Sequence, residues 1–194
     1  MFSLSGKVAA ITGAGSGIGK AIALAFAKHG AHVAVLDLNL SAAEEVVTEI
    51  KNAGGSAEAA ACDVSVRDAA AAAINAIITN RGRLDILVNN AGIAHVGNVS
   101  NTSEEDFDRI YRVNVKGVAN CLKPAFDQMA KQGGGVILNM ASMRLVTRNP
   151  PAMLIVAMRT AMAPRIVVAE ADPESCSMPP IRMIPLMALV TLIS

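Results

Sequence analysis

Among 194 residues the chain has no tryptophan, one tyrosine and four phenylalanines, so aromatics make up only 3%. Its 53% apolar content is therefore carried mainly by small aliphatic side chains. Such an Ala/Val/Ile-rich balance suits a sheet covered by helices on both faces. Excess charge is missing too: the net charge is +1, with Lys and Arg scattered along the chain. That leaves no footprint for nucleic acid or for an anionic membrane surface. Cys62, Cys121 and Cys176 form no Cys-x-x-Cys pattern, and His29, His32 and His95 add no metal-site spacing. An odd, unpatterned set of cysteines fits reduced thiols in the cytoplasm. His29 and His32 flank a helix-to-strand turn, where solvent-facing positions are expected. No secretory signal is visible at the start, so the sequons at Asn98 and Asn101 are read as incidental. The most apolar stretch, 181–193, is short for a membrane span and contains Arg182 and Pro185. A soluble chain of one domain is expected.

From Lys7 to Ser142 strand-like and helix-like segments alternate. Val8–Ile11, His32–Leu36, Glu58–Cys62, Leu84–Val88 and Val136–Met140 read as strands, the first a short apolar run ending in glycines. Between them, apolar residues at helical spacing predict helices over 18–28, from a capping box at Ser41–Glu44 to about Ala53, and over 66–81. A further long helix, capped at Ser103–Asp106, is predicted from Glu104 toward Met129 with Pro124 inside it. This order implies a parallel, doubly wound α/β sheet with right-handed crossovers.

Beyond Ser142 the composition changes abruptly. Residues 143–194 hold seven of the ten methionines and seven of the eight prolines, but no glycine, lysine or aromatic residue. Periodicity fades there, apart from a strand-like Arg165–Val168. The chain thus divides into a dinucleotide-binding region, 1–142, and a divergent tail, 143–194, that is not a separate domain. A reading-frame error, an alternative exon and a divergent extension would each produce such a shift.

Thr12-Gly13-Ala14-Gly15-Ser16-Gly17-Ile18-Gly19 follows the first strand and opens the first helix. In that context Gly13 allows a tight turn, Gly17 lets backbone approach a pyrophosphate, and Gly19 lets the helix pack close to the sheet. The helix N-terminus offers N–H groups and partial positive charge to phosphates. The spacing, Gly-x-x-x-Gly-x-Gly, resembles the cofactor turn of the short-chain dehydrogenase/reductase family. Asp37 ends the second strand, where a carboxylate can accept from ribose hydroxyls and repel a 2′-phosphate. With no Arg or Lys at Ala14, Ser16 or Leu38, NAD is expected over NADP. An aspartate there can also be a turn residue only. Cys62-Asp63-Val64 resembles the family's Asp-Val pair at the adenine, and Asn89-Asn90-Ala91-Gly92 its sheet-bracing motif beside the cofactor. The resemblance covers residues 5–142 and implies a Rossmann-like fold, incomplete here at its C-terminal side.

It also implies chemistry, namely hydride transfer between nicotinamide and a small alcohol or carbonyl compound. In the family a tyrosine moves the proton, a lysine four residues later tunes it, a serine binds the substrate oxygen and an asparagine maintains a proton relay. Asn114 and Ser142 match the asparagine and the serine. As bland alternatives, they are a helix residue satisfied by backbone and a helix-cap serine. The tyrosine and lysine would fall near Ile155 and Arg159. No Tyr-x-x-x-Lys exists anywhere, since Tyr111 is the only tyrosine and Lys131 the last lysine. Tyr111 precedes Asn114 by one helical turn and suits packing or subunit contact better than catalysis. The expected function is therefore an NAD-dependent oxidoreductase impaired in proton transfer; a non-catalytic NAD-binding module and an incompletely folded fragment are the alternatives. No metal is implied. A homo-oligomer follows by family analogy, although the long helix that follows the tyrosine in the family and shares the subunit interface has no counterpart here.

Overall fold

The computed structural model describes residues 3–95, 101–145 and 152–161, those from 141 onward by backbone alone. Asn98, Cys176, the expected strand at 165–168 and the apolar stretch at 181–193 lie outside the described residues. The elements run β1 Val8–Thr12, α1 Gly17–Lys28, β2 His32–Asp37, α2 Leu40–Asn52, β3 Ser56–Ala61, α3 Arg67–Arg81 and β4 Ile86–Asn89. Then follow α4 Glu104–Tyr111, a π-helical turn Arg112–Lys116, α5 Gly117–Lys131, β5 Val136–Leu145 and β6 Ala152–Ala161.

The sheet order is β3-β2-β1-β4-β5-β6, with the first five strands parallel. Period-two alternation divides its side chains between two faces. Ala9, Ile11, Val33 and Val35 pack toward α1 and α2, while Val8, Ala10, Ala34 and Leu36 pack toward α3 and α5. Both faces are thus covered, and for that reason β1 is apolar throughout until Thr12. Leaving β3, the chain crosses to the far side of β1 and enters β4. The β1–β4 junction is therefore the topological switch point, where open α/β sheets bind ligands at strand carboxyl ends.

Four details depart from the sequence expectations. Helix α2 starts earlier than the Ser41 box: Asn39 is its cap, accepting from Ala42 N at 3.3 Å. Asn39 is fixed there because its own N–H donates to Asp37 Oδ1 at 2.9 Å. His32 does not simply face solvent, since its ring meets Ser56 Oγ at 2.7 Å and Glu58 Oε1 at 3.1 Å across the β2–β3 pair. The long helix is interrupted by the π-helical turn that carries Asn114; such turns occur frequently at functional sites.

The fourth departure concerns the tail. β5 runs past Ser142 to Leu145, and β6 pairs with it antiparallel, setting Ser142 opposite Ile155. An all-parallel sheet was expected, but a parallel return needs a crossover of roughly a dozen residues. Six residues, 146–151, separate β5 from β6, too few for such a crossover, and the two strands pair antiparallel. The outer edge of β5 is therefore paired rather than bare.

Candidate functional site

Four strand ends build one cleft of about 420 Å³ at the switch point. Its walls include Gly13, Ser16, Gly17 and Ile18 after β1, Asp37 and Leu38 after β2, Cys62, Asp63 and Val64 after β3, and Asn90, Ala91 and Gly92 after β4. Ile93 and Val113 complete it. Residues read separately from the sequence thus converge. Leu38, Cys62, Ile93 and Val113 were not singled out as site residues, because no motif marks an apolar wall.

The floor is a hydrogen-bonded lock between β1 and β4. Thr12 is buried, and its hydroxyl accepts from Asn90 N and Ala91 N at 3.0 Å each. Asn90 Nδ2 returns bonds to Thr12 O at 3.0 Å and Gly13 O at 3.1 Å. Thr12 therefore lies beneath the cleft and shapes it without lining it. Gly13 takes φ +64°, and a Cβ there would sit 2.8 Å from Ala91 Cα. Gly19 also packs below the surface: a Cβ would lie 2.3 Å from Gly13 O. Gly17, at φ +55°, has no atom within 4 Å of where a Cβ would be, so its backbone faces open space.

Helix α1 opens at Ser16 with no side-chain cap and no acidic residue in its first turn. Its leading N–H groups have no intrahelical partner, and Ser16, Gly17 and Ile18 at this helix start line the cleft. Asp37 stands across from them. Its Oδ2 accepts from Gly15 N at 2.8 Å, so Gly15 braces the carboxylate rather than lining the cleft. An ionised carboxylate has about four acceptor sites, which leaves capacity beyond the Gly15 and Asn39 bonds. Asp63 takes both Ser65 N and Ser65 Oγ on Oδ1, at 2.9 and 2.7 Å.

At the other end, Asn114 holds the loop after β4. Its Oδ1 accepts from Ile93 N and its Nδ2 donates to Ile93 O, both at 2.9 Å. These bonds bring Asn114 beside the cleft, with its side chain satisfied by backbone. Ser142 lies on β5, with Ile155 across the strand pair and Arg159 opposite Leu138. Tyr111 is exposed at the end of α4, and Lys116 Nζ stands 5.7 Å from its ring centroid. It is not part of the cleft wall. Among the described residues no group of His, Cys, Asp and Glu could hold a metal ion, and no helix is long and apolar enough to cross a membrane.

Known proteins are similar to this chain in sequence and fold. An uncharacterized oxidoreductase of Thermotoga maritima is 51% identical over 140 residues, covering 72% of this chain and 55% of that protein. The crystal structure of a short-chain type dehydrogenase/reductase from Mycobacterium marinum superposes with a TM-score of 0.73 at 40% identity, covering 78% of this chain and 62% of that one. A 3-ketoacyl-(acyl-carrier-protein) reductase from Brucella melitensis, complexed with NADH, has a TM-score of 0.64 at 45% identity, covering 68% and 53%. The chain thus spans a little over half the length of the curated relatives it matches. The model of the short chain dehydrogenase family matches residues 7–155, through all five parallel strands and into β6, and the chain belongs to that family.

Proposed function

We propose that the cleft binds NAD and that the chain is a hydride-transferring oxidoreductase of the family type, acting on a small alcohol or carbonyl compound, with proton transfer impaired. The observation that carries this reading is the uncapped start of α1 facing Asp37 across open space at Gly17. Backbone N–H groups at Gly17 and Ile18 suit a pyrophosphate through charge and unpaired donors, with Gly19 packed behind them. Asp37 has acceptor capacity for ribose hydroxyls, and no Arg or Lys stands at Ala14, Ser16 or Leu38 to neutralise a 2′-phosphate. Asp63 Oδ2 and Val64 suit the adenine edge. Thr12, Gly13, Gly15, Asn90, Ala91 and Gly92 hold these groups in place.

When bound, NAD supplies the hydride acceptor. The chain must orient substrate and move the proton. By resemblance Ser142 is the residue that binds the substrate oxygen, and Asn114 steadies the loop after β4 through Ile93. Isoleucine at 155 has no titratable proton, and arginine at 159 lacks the compact, tunable charge of lysine. Loss of the proton-transfer group alone lowers turnover by roughly 10²- to 10⁴-fold.

Calorimetry with NAD and NADP tests the binding half. Saturable NAD binding, weaker NADP binding and a roughly ten- to hundredfold loss of NAD affinity in Asp37→Ala are expected, the size of one or two charge-assisted hydrogen bonds. Equal affinity for NADP, or no saturable binding, would sink it. NAD-linked oxidation of an alcohol panel should stay near background; robust turnover that Ser142→Ala abolishes would overturn the impairment.

The family analogy also carries a homo-oligomer. It is supported by Phe107, Tyr111 and Val115, large side chains exposed along α4 and the π-helical turn, none of whose residues before Gly117 is buried.

A further inference from the structure

Two of the cysteines that look unrelated in sequence meet in the fold. Cys62 follows β3 and lines the cleft, while Cys121 on α5 is fully buried. Both lie in the core cluster beneath α3 and α5. On α5, Gly117, Asn120 and Cys121 share one face by their i, i+3 and i+4 spacing. That face is pinned to the segment after β3. A Cβ at Gly117 would lie 2.8 Å from Val64 Cγ2, and Asn120 Nδ2 donates to Val64 O at 2.9 Å. The third member, Cys121, lies in the same buried cluster as Cys62, and the two thiols are near enough to influence each other's protonation.

We propose that Cys62 and Cys121 are an oxidisable dithiol, a modification site that closes to a disulfide between β3 and α5 when a small peroxide enters the cleft. The two sulfurs have unequal roles. The neighbouring Cys121 thiol favours the thiolate of Cys62, outweighing burial and the nearby Asp63 and Asp37 charges. Proximity to Cys62, together with burial, holds the Cys121 thiol protonated. Cys62 is also the one with access to the cleft, so it is the attacking sulfur. Its sulfur takes one peroxide oxygen; the O–O bond breaks, and the other oxygen leaves as hydroxide and collects the thiol proton as water. Cys121 then attacks the sulfenic sulfur, the S–O bond breaks, and the second hydroxide leaves as water with the Cys121 proton. Two thiols lose two electrons, and one peroxide becomes two waters.

A closed disulfide would fix the wall that holds Asp63 and Val64. Protection by NAD rests on the nucleotide reading above, whereas formation of the bond does not. The experiment treats the full chain with hydrogen peroxide, with and without saturating NAD, alkylates the remaining thiols and maps tryptic peptides. Expected is a dithiothreitol-reversible link between peptides 52–67 and 117–131, formed more slowly with NAD present. Sulfinic or sulfonic acid at Cys62 with Cys121 still alkylated, or links through Cys176 alone, would overturn the pair. Calorimetry on the same sample separates the two readings. An unchanged linking rate despite measured NAD binding overturns entry through the cleft. A link formed without NAD binding upholds the pair and removes the nucleotide reading instead.

Discussion

Gly15 and Gly19 stand on either side of the opening of α1, yet a methyl group at each would meet a different obstacle. At Gly15 it would lie 2.9 Å from Asp37 Cγ and from Ala42 Cβ. The aspartate side chain can swing aside, which sacrifices its bond from Gly15 N and its aim into the cleft. At Gly19 the obstacle is Gly13 O at 2.3 Å, a backbone atom in the turn itself, with Asn90 Nδ2 at 2.5 Å. Gly19→Ala should therefore destabilise the fold by about 1–3 kcal/mol, the usual cost of overpacking. Thermal unfolding should register this as a fall of roughly 2–4 °C per kcal/mol. Gly15→Ala should chiefly weaken NAD binding while its melting temperature moves less. If the two variants melt alike, the distinction between a yielding side chain and an unyielding backbone is wrong.

Among the elements, β4 depends on a buried charge at its entrance. Asp85 accepts from Val8 N at 2.9 Å and from Arg83 Nε and its terminal guanidinium nitrogen at 2.8 and 2.6 Å, with Lys7 Nζ at 3.5 Å. Burial pushes its carboxyl up, but the Arg83 and Val8 bonds and the two cationic charges outweigh that and hold it below the ordinary value. A depressed folded-state pKa stabilises the fold above the unfolded carboxylate value, near 4. That contribution disappears as pH falls through the lower folded value. Asp85→Asn should cost about 1.5–3 kcal/mol at neutral pH, the range for hydrogen bonds to a charged group. Urea unfolding across the acid range checks the sign: the gap between variant and parent should narrow as pH drops below about 4. A gap that stays constant with pH would rule out this role for the charge.

The elements also differ in how legible they were. The buried strands β1, β2 and β4 and the helices between them follow from apolar runs and helical spacing, because the patterns that mark them are local. β6 escaped notice because residues 152–161 form an apolar run without clean alternation, which suits strand and helix equally. The π-helical turn at Arg112–Lys116 escaped for another reason. Its residues fit an ordinary helix, and the extra residue shows only in the backbone path.

For the whole molecule, the exposed row of Phe107, Tyr111 and Val115 has the greatest consequence. Large apolar side chains exposed together along one helical stretch mark an interaction surface more often than a solvated one. Sedimentation of the full chain should show a homo-oligomer, and Phe107→Glu should shift it toward monomer with little change in NAD affinity. A monomeric parent would sink the oligomer. Loss of NAD binding together with dissociation would mean that α4 supports the cleft rather than an interface.

What the sequence determined by itself was the set of strand-end residues that gather around the cleft. The glycine turn, the Asp37 carboxylate and the Asn90 loop can be read from residue types at fixed distances along the chain, because their chemistry depends on strand ends that local patterns locate. The absence of a Tyr-x-x-x-Lys is likewise a property of the sequence alone. The tertiary structure decided which of those residues face the cleft and which support it. It put Thr12, Gly15 and Gly19 behind the wall, joined Asn114 to Ile93, and brought Cys62 against Cys121. Those relations depend on strand order and on close approach between elements distant in sequence, and no spacing along the chain encodes either.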